Sequence, residues 1–209
     1  MKKYFILGIN GSPNKDGKTS RMLDTALAEI EKLGAETKKI NLCDYKILPH
    51  SGKLEPEKYI ENTDDDMPGL QKLALQADGI IFATPTYWLN MSSLMKLFTD
   101  RLTSLEDYNF LLEGKAAGFI TYGPQGGATN AAMILTMVAN HMGMAVPPYA
   151  AIFDEGRNDK WLDKEYAVLA KNMLNQIRAW KELKLNWGYP DAKYKMSPVE
   201  LLDDEENKS

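Results

Sequence analysis

The apolar run Tyr4-Phe5-Ile6-Leu7-Gly8-Ile9 feeds into Asn10-Gly11-Ser12-Pro13-Asn14-Lys15-Asp16-Gly17-Lys18-Thr19-Ser20, and this junction decides the reading of the chain. The run is apolar throughout rather than alternating, the pattern of a strand buried on both faces. The segment after it is rich in Gly, Ser, Asn and Thr, and a helical pattern leaves it near Thr19. A strand, a turn of small residues and a helix make a cradle for phosphate. Small residues let backbone N–H groups approach the anion, hydroxyls add donors, and the positive end of the helix dipole faces it.

Working outward, Met22, Leu23, Ala26, Leu27, Ile30 and Leu33 recur at helical spacing up to Gly34, and Ala35–Leu42 follows as a second strand. Residues 43–66 are the least regular part, with Pro49, Gly52, Pro56 and the run Asp64-Asp65-Asp66. Asp66 is expected to cap a helix that carries Pro68 in its first turn and runs to Ala77. The aspartate run reads as a solvated helix start. Ile80–Thr84 is a third apolar strand, broken by Pro85-Thr86-Tyr87-Trp88-Leu89-Asn90, with one helix expected from Ser92 to Leu105. Ala116–Tyr122 is a fourth strand, ending at Gly123-Pro124-Gln125-Gly126-Gly127. A helix through Ala131, Leu135 and Met142 leads to a fifth strand within Met144–Phe153, where Pro147 and Pro148 suit an edge position. Leu162 to Trp180 marks a last, long helix.

Strand and helix thus alternate, with no repeat and no dividing linker. The expectation is one α/β domain over residues 1–185 with a parallel sheet, and a tail over 186–209. Ligands of such sheets sit beyond the carboxyl ends of the strands. The loops richest in small, polar and aromatic residues follow strands one, three and four, so all three are expected on that edge.

Composition narrows the partners. The chain has 209 residues and a net charge of −4, with a pI near 5.3, which argues against a general nucleic-acid binder. No apolar run is long enough to span a bilayer, and the N-terminal run stops at Asn10, too early for a signal peptide. A cytoplasmic protein without membrane contact is the expectation. Cys43 is the only cysteine, so no internal disulfide and no four-cysteine metal or cluster site can be built within one chain. His50 and His141 read as ordinary residues, and no metal site is expected.

Counting tests two phosphate motifs. A Walker A loop needs Gly, four residues, then Gly-Lys-Ser/Thr. Gly17-Lys18-Thr19 is present, but Ser12 stands where the first glycine belongs. A G-x-G-x-x-G fingerprint is absent too, since Gly8 and Gly11 are three apart and the next glycine is Gly17.

The segments Gly11-Ser12-Pro13-Asn14 through Gly17-Lys18-Thr19-Ser20, then Pro85-Thr86-Tyr87-Trp88 with Lys96, Phe98, Asp100 and Arg101, resemble the NADPH-dependent FMN reductase family of flavodoxin-like proteins. The nearer resemblance is to the branch of iron–sulfur flavoproteins and flavodoxin-like quinone reductases, over most of residues 3–150. It implies a flavodoxin-like three-layer sandwich with a five-stranded parallel sheet, order 2-1-3-4-5, binding one FMN. Ser12, Asn14, Thr19 and Ser20 would hold the FMN phosphate, with Lys18 either adding charge or solvated. Pro85, Thr86, Tyr87 and Trp88 would run along the flavin ring, with Asn90 reaching it. Thr121, Tyr122, Gly123, Gly126 and Gly127 would close the far side. The alternative for Tyr87 and Trp88 is core packing. Lys96, Asp100 and Arg101 read as structural or interfacial, Lys96 and Asp100 being spaced to pair on one helix face.

The resemblance also implies the activity: a hydride passes from NADPH or NADH through FMN to a quinone, flavin or similar small acceptor, with no catalytic side chain required. A flavodoxin-type electron carrier and a flavin-binding regulatory module are the alternatives. A homodimer or homotetramer is implied, with Trp187, Tyr189 and Tyr194 packing on a neighbour or back on their own subunit. Iron–sulfur members carry a compact cysteine cluster after the second strand. Leu48-Pro49-His50-Ser51-Gly52-Lys53 stands there instead, so no cluster relay is expected.

Overall fold

The computed structural model describes residues 3–53, 60, 63–107, 110–156 and 161–185. The tail from 186 onward, with Trp187, Tyr189 and Tyr194, lies outside them. The apolar opening run forms β1 (Phe5–Asn10), followed by α1 (Lys18–Lys32), β2 (Glu36–Asn41), a short 3-10 turn (Leu42–Asp44), α2 (Met67–Gln76) and β3 (Gly79–Tyr87). Then come β4 (Asn90–Met91), α3 (Ser93–Asp100), α4 (Thr103–Asp107), β5 (Ala116–Tyr122), α5 (Ala128–His141), β6 (Ala151–Asp154) and α6 (Leu162–Leu183).

Five strands pair in parallel in the order β2-β1-β3-β5-β6, while β4 pairs antiparallel with β3. Without the two-residue β4 this is the expected 2-1-3-4-5 order. Alternate residues of the central strands bury on opposite faces. Leu7, Ile9, Phe82 and Phe119 pack with α2, α3 and α5, and Ile6, Ile81, Ala83 and Ile120 with α1 and α6. That is why these strands read as continuously apolar. At the centre Phe82 stacks on Phe119, centroids 6.0 Å apart. Burying such a ring contributes about 1.5–3 kcal/mol.

Four local expectations are corrected. β3 does not break at Pro85 but runs on to Tyr87. Pro85 offers no N–H, yet the ladder survives because Thr84 pairs with Thr121 in β5 and Thr86 with Met91 in β4. The single helix expected over Ser92–Leu105 is two. Ser92 caps α3 by accepting from Met95 N at 3.1 Å, and Thr103 Oγ1 donates to the Asp100 carbonyl at 2.7 Å where the helix ends. The fifth strand begins only at Ala151. Ala145 makes an isolated bridge to Ala116, and the two prolines that follow cannot donate to a ladder.

The aspartate run is the fourth. Asp65 is not solvated: its side chain is 0% exposed and its carboxylate meets Arg101, itself 3% exposed, at 2.6 Å. Asp65 also accepts from Leu48 N (2.8 Å), Thr63 Oγ1 (2.6 Å) and Met67 N (3.1 Å), so it, rather than Asp66, caps α2 with a side chain. Arg101 donates in addition to the Leu48 carbonyl (2.8 Å) and Thr63 Oγ1 (2.9 Å). Burial alone would raise the Asp65 carboxyl, but the hydrogen bonds from Arg101, Thr63, Leu48 and Met67 hold it well below the usual carboxylate range. Arg101 is therefore structural: it fastens the irregular segment after β2 to the end of α3. Lys96 and Asp100 pair on one exposed helix face as their spacing implied.

Candidate functional site

The first loop, the β3–β4 hairpin and the loop after β5 meet at the carboxyl edge of the sheet. They enclose a cleft of about 750 Å³ lined by Ser12, Asn14, Gly17, Lys18, Thr19, Pro85–Leu89, Tyr122, Pro124, Gln125 and Gly126. This volume suits a cofactor-sized ligand.

The first loop is built by side chains bonding their own backbone, as Asn and Ser do in turns. Buried Asn10 donates to Asn41 Oδ1 at 2.9 Å, and its own Oδ1 accepts from Ser12 N at 3.1 Å. Ser12 Oγ accepts from Asn14 N (3.1 Å), and Asn14 Oδ1 from Asp16 N (3.0 Å). Gly17 occupies the N-cap of α1 with no side-chain cap. The backbone N–H groups of Lys18, Thr19 and Ser20, which the helix cannot satisfy internally, have no acceptor among the described residues. Thr19 is 2% exposed, and its hydroxyl has no partner among the described residues either. An uncapped helix start beside an orphan hydroxyl at the floor of a cleft is a donor set for a dianion.

The hairpin makes one wall. Trp88 and Leu89 are its two turn residues, both at positive φ, 50° and 62°. Two left-handed residues are what a two-residue hairpin turn demands, but without glycine or asparagine they cost about 1–2 kcal/mol each. Trp88 is 99% exposed and Tyr87 52% exposed, which removes core packing as their role. The other wall abuts the hairpin directly. Thr86 Oγ1 donates to the Gly126 carbonyl at 3.2 Å. A Cβ on Gly123 would fall 2.0 Å from Thr86 Oγ1, and one on Gly127 would fall 2.5 Å from Leu89 Cα.

The cleft thus gathers Ser12, Asn14, Lys18, Thr19, Pro85, Thr86, Tyr87, Trp88, Tyr122 and Gly126 from the residues singled out by sequence. The rest do not line it, although the Ser20 N–H belongs to the open start of α1. Ser20 is buried with its hydroxyl accepting from Lys39 Nζ at 2.6 Å, and Thr121 donates to the Ala128 carbonyl at 2.7 Å. Asn90 sits on the outer side of the hairpin beside Met91, Ser93 and Lys96, with Oδ1 accepting from Met91 N. Gly123 and Gly127 back the wall without lining it. Lys18, its side chain 40% exposed, forms an ion pair with Asp154 at the end of β6, 3.4 Å away, so its charge is shared between that carboxylate and the cleft. Gly17, Leu89, Pro124 and Gln125 line the cleft although sequence reasoning did not select them. All four fall inside loops it had marked, and loop membership was the signal available.

The residues present fit FMN. The open N–H groups and the Thr19 hydroxyl suit its phosphate, and the hairpin and post-β5 loop supply the aromatic and backbone walls that a flat ring requires. Together with the strand order, this defines a flavodoxin-like flavin-binding protein.

Comparison makes the class specific. Residues 5–158 match the family described as NADPH-dependent FMN reductase, and the chain belongs to it. It is an NAD(P)H-dependent, FMN-containing oxidoreductase. An iron-sulfur flavoprotein of Archaeoglobus fulgidus is 34% identical over 151 residues, covering 70% of this chain and 67% of that protein. A putative NAD(P)H-dependent FMN-containing oxidoreductase of Bacillus subtilis, YwqN, is 34% identical over 106 residues, 50% of this chain and 56% of that one. The solved structure of RosB with a bound 8-demethyl-8-formylriboflavin-5′-phosphate intermediate superposes with a TM-score of 0.73 at 20% identity, over 99% of this chain and 88% of that one. This last is a likeness of fold. Among the described residues no helix is long and apolar enough to cross a membrane.

Proposed function

We propose that this oxidoreductase delivers the electrons of NADH or NADPH to a diffusible quinone, free flavin or similar flat acceptor. The chemistry that bound FMN would supply is hydride acceptance and onward electron transfer. The chain's own residues do the rest. Lys18, Thr19 and Ser20 offer their N–H groups, and Thr19 its hydroxyl, to the phosphate. Pro85–Leu89 and Tyr122–Gly126 orient the ring between them. The observation carrying the reading is the orphan donor set at the start of α1, buried at the floor of a cleft whose upper wall is aromatic. The cleft's lining holds no His, Cys or carboxylate, so orientation of the ring is its contribution.

The acceptor is inferred to be small, and the protein to form a homodimer or homotetramer. Met133 and Met137, 60% and 70% exposed on α5, support the second inference. Purified protein should carry FMN or bind it when supplied, and anaerobic NADH or NADPH should bleach it without a partner reductase. A panel of quinones, flavins and one-electron dyes then identifies the acceptor by the rate of reoxidation. Protein that neither carries nor binds FMN sinks the reading, and bound flavin untouched by both nicotinamides would make it a carrier or binding module.

A further inference from the structure

We propose that Asn130, an exposed residue outside the cleft lining, is a positioning residue that latches the Trp88–Leu89 turn and thereby sets the shape of the wall a nicotinamide must pass. The inference rests on the reading of the cleft given above.

The turn needs a latch because its sequence works against its conformation. A two-residue hairpin with both residues at positive φ favours Asn-Gly, where the left-handed region is cheap. Trp and Leu occupy it here, at 50° and 62°. Trp88, being 99% exposed, gains nothing from packing that would offset the strain. Such strain persists only where surrounding structure over-determines the conformation. The surroundings provide two restraints. Gly127, at φ +86°, lets the start of α5 approach until a Cβ there would overlap Leu89 Cα at 2.5 Å. From the first turn of α5, Asn130 Nδ2 donates to the Leu89 carbonyl at 2.8 Å. This bond fixes the carbonyl of the second turn residue, the group that must rotate if the turn relaxes. Trp88 and Leu89 line the cleft from above, so relaxation of the turn would reshape its mouth but not the phosphate nest, which is built on α1.

Asn130→Asp tests the donor itself. The shape is kept, the amide donor is lost, and an acid in the first turn of a helix is favourable, so the fold is not at risk. Hydrogen exchange on the flavin-free protein should show faster exchange across residues 86–91 in Asn130→Asp and Asn130→Ala. With FMN loaded, KM for the reduced nicotinamide should rise roughly 3–10-fold, the size of one hydrogen bond, with kcat and the FMN dissociation constant within about 3-fold of wild type. Asn130→Gln, which retains a donor, should recover part of both effects. Unchanged exchange in the Asp and Ala variants overturns the latch, and faster exchange with unchanged KM overturns its positioning role. If neither nicotinamide reduces the wild-type flavin, the functional reading has failed, while the exchange result still decides the latch.

Discussion

Arg101→Met would leave Asp65 buried without its guanidinium, and the cost can be worked from the geometry. Both side chains are withdrawn from water, 3% and 0% exposed, and the carboxylate keeps only its bonds from Thr63, Leu48 N and Met67 N. Removing one partner of a buried pair typically costs 3–5 kcal/mol, because the other charge stays in a poorly solvating site. The variant also strands the Leu48 carbonyl, which Arg101 bonds at 2.8 Å. A loss of about 4 kcal/mol corresponds to roughly 8–16 °C in Tm for a domain of this size. Removing both charges, Arg101→Met with Asp65→Leu, should cost less than the single change. What remains includes the Thr63 hydroxyl and the orphaned backbone groups of Leu48 and Met67, near 1 kcal/mol or somewhat more each.

Urea unfolding of the three proteins at one pH would give the comparison, with the midpoint moving and the slope unchanged. The pH dependence adds a check of sign. Asp65 titrates lower in the folded protein than in the unfolded chain, so its contribution is fully present above about pH 4, the unfolded value. It fades as pH falls toward the lower folded value, and the wild-type advantage over Arg101→Met should shrink with it. A loss below about 1 kcal/mol for Arg101→Met would mean an ordinary solvent-exposed pair, and the burial argument would be wrong.

Other expectations follow from separate parts of the molecule. Thr19→Val should weaken FMN binding about 5–30-fold in a fluorescence titration of flavin-free protein, since it deletes one buried donor to an anion; unchanged affinity would remove Thr19 from the phosphate site. Exchanging the hairpin turn, Trp88→Asn with Leu89→Gly, should raise Tm by relieving the left-handed strain while impairing turnover, and a lower Tm would contradict the strain. Lys115 donates to the Leu75 and Ala77 carbonyls at the end of α2, and burial, offset by Asp78 and reinforced by Lys181, pushes its ammonium down to about 8. The unfolded chain therefore holds more protons from about pH 8 to 10, so wild type should gain stability relative to Lys115→Met across that window in thermal melts.

The strands were legible in the sequence because each central one is buried on both faces and so apolar at every position. The nest was legible because its geometry is local: Asn10, Ser12 and Asn14 each bond a backbone group two residues on. What sequence misplaced depends on partners far along the chain. Asp65 looks like one more aspartate in a solvated run until Arg101, 36 residues later, closes on it. The hydroxyls of Ser20 in α1 and Thr121 in β5 are taken by Lys39 and the Ala128 carbonyl, which sequence does not show, while the Ser20 N–H stays open. Pro85 signals a strand break by propensity, and the ladder passes it only because β4 takes up the pairing at Thr86. In the hairpin, local preference and observed conformation disagree outright. Trp-Leu is a poor left-handed turn, held by an α5 residue some forty positions away. That conflict lies on the wall of the cleft proposed to hold the flavin. A chain locally consistent almost everywhere breaks its own turn chemistry on the wall where the proposed function needs a ring admitted, which is where strain would have a use.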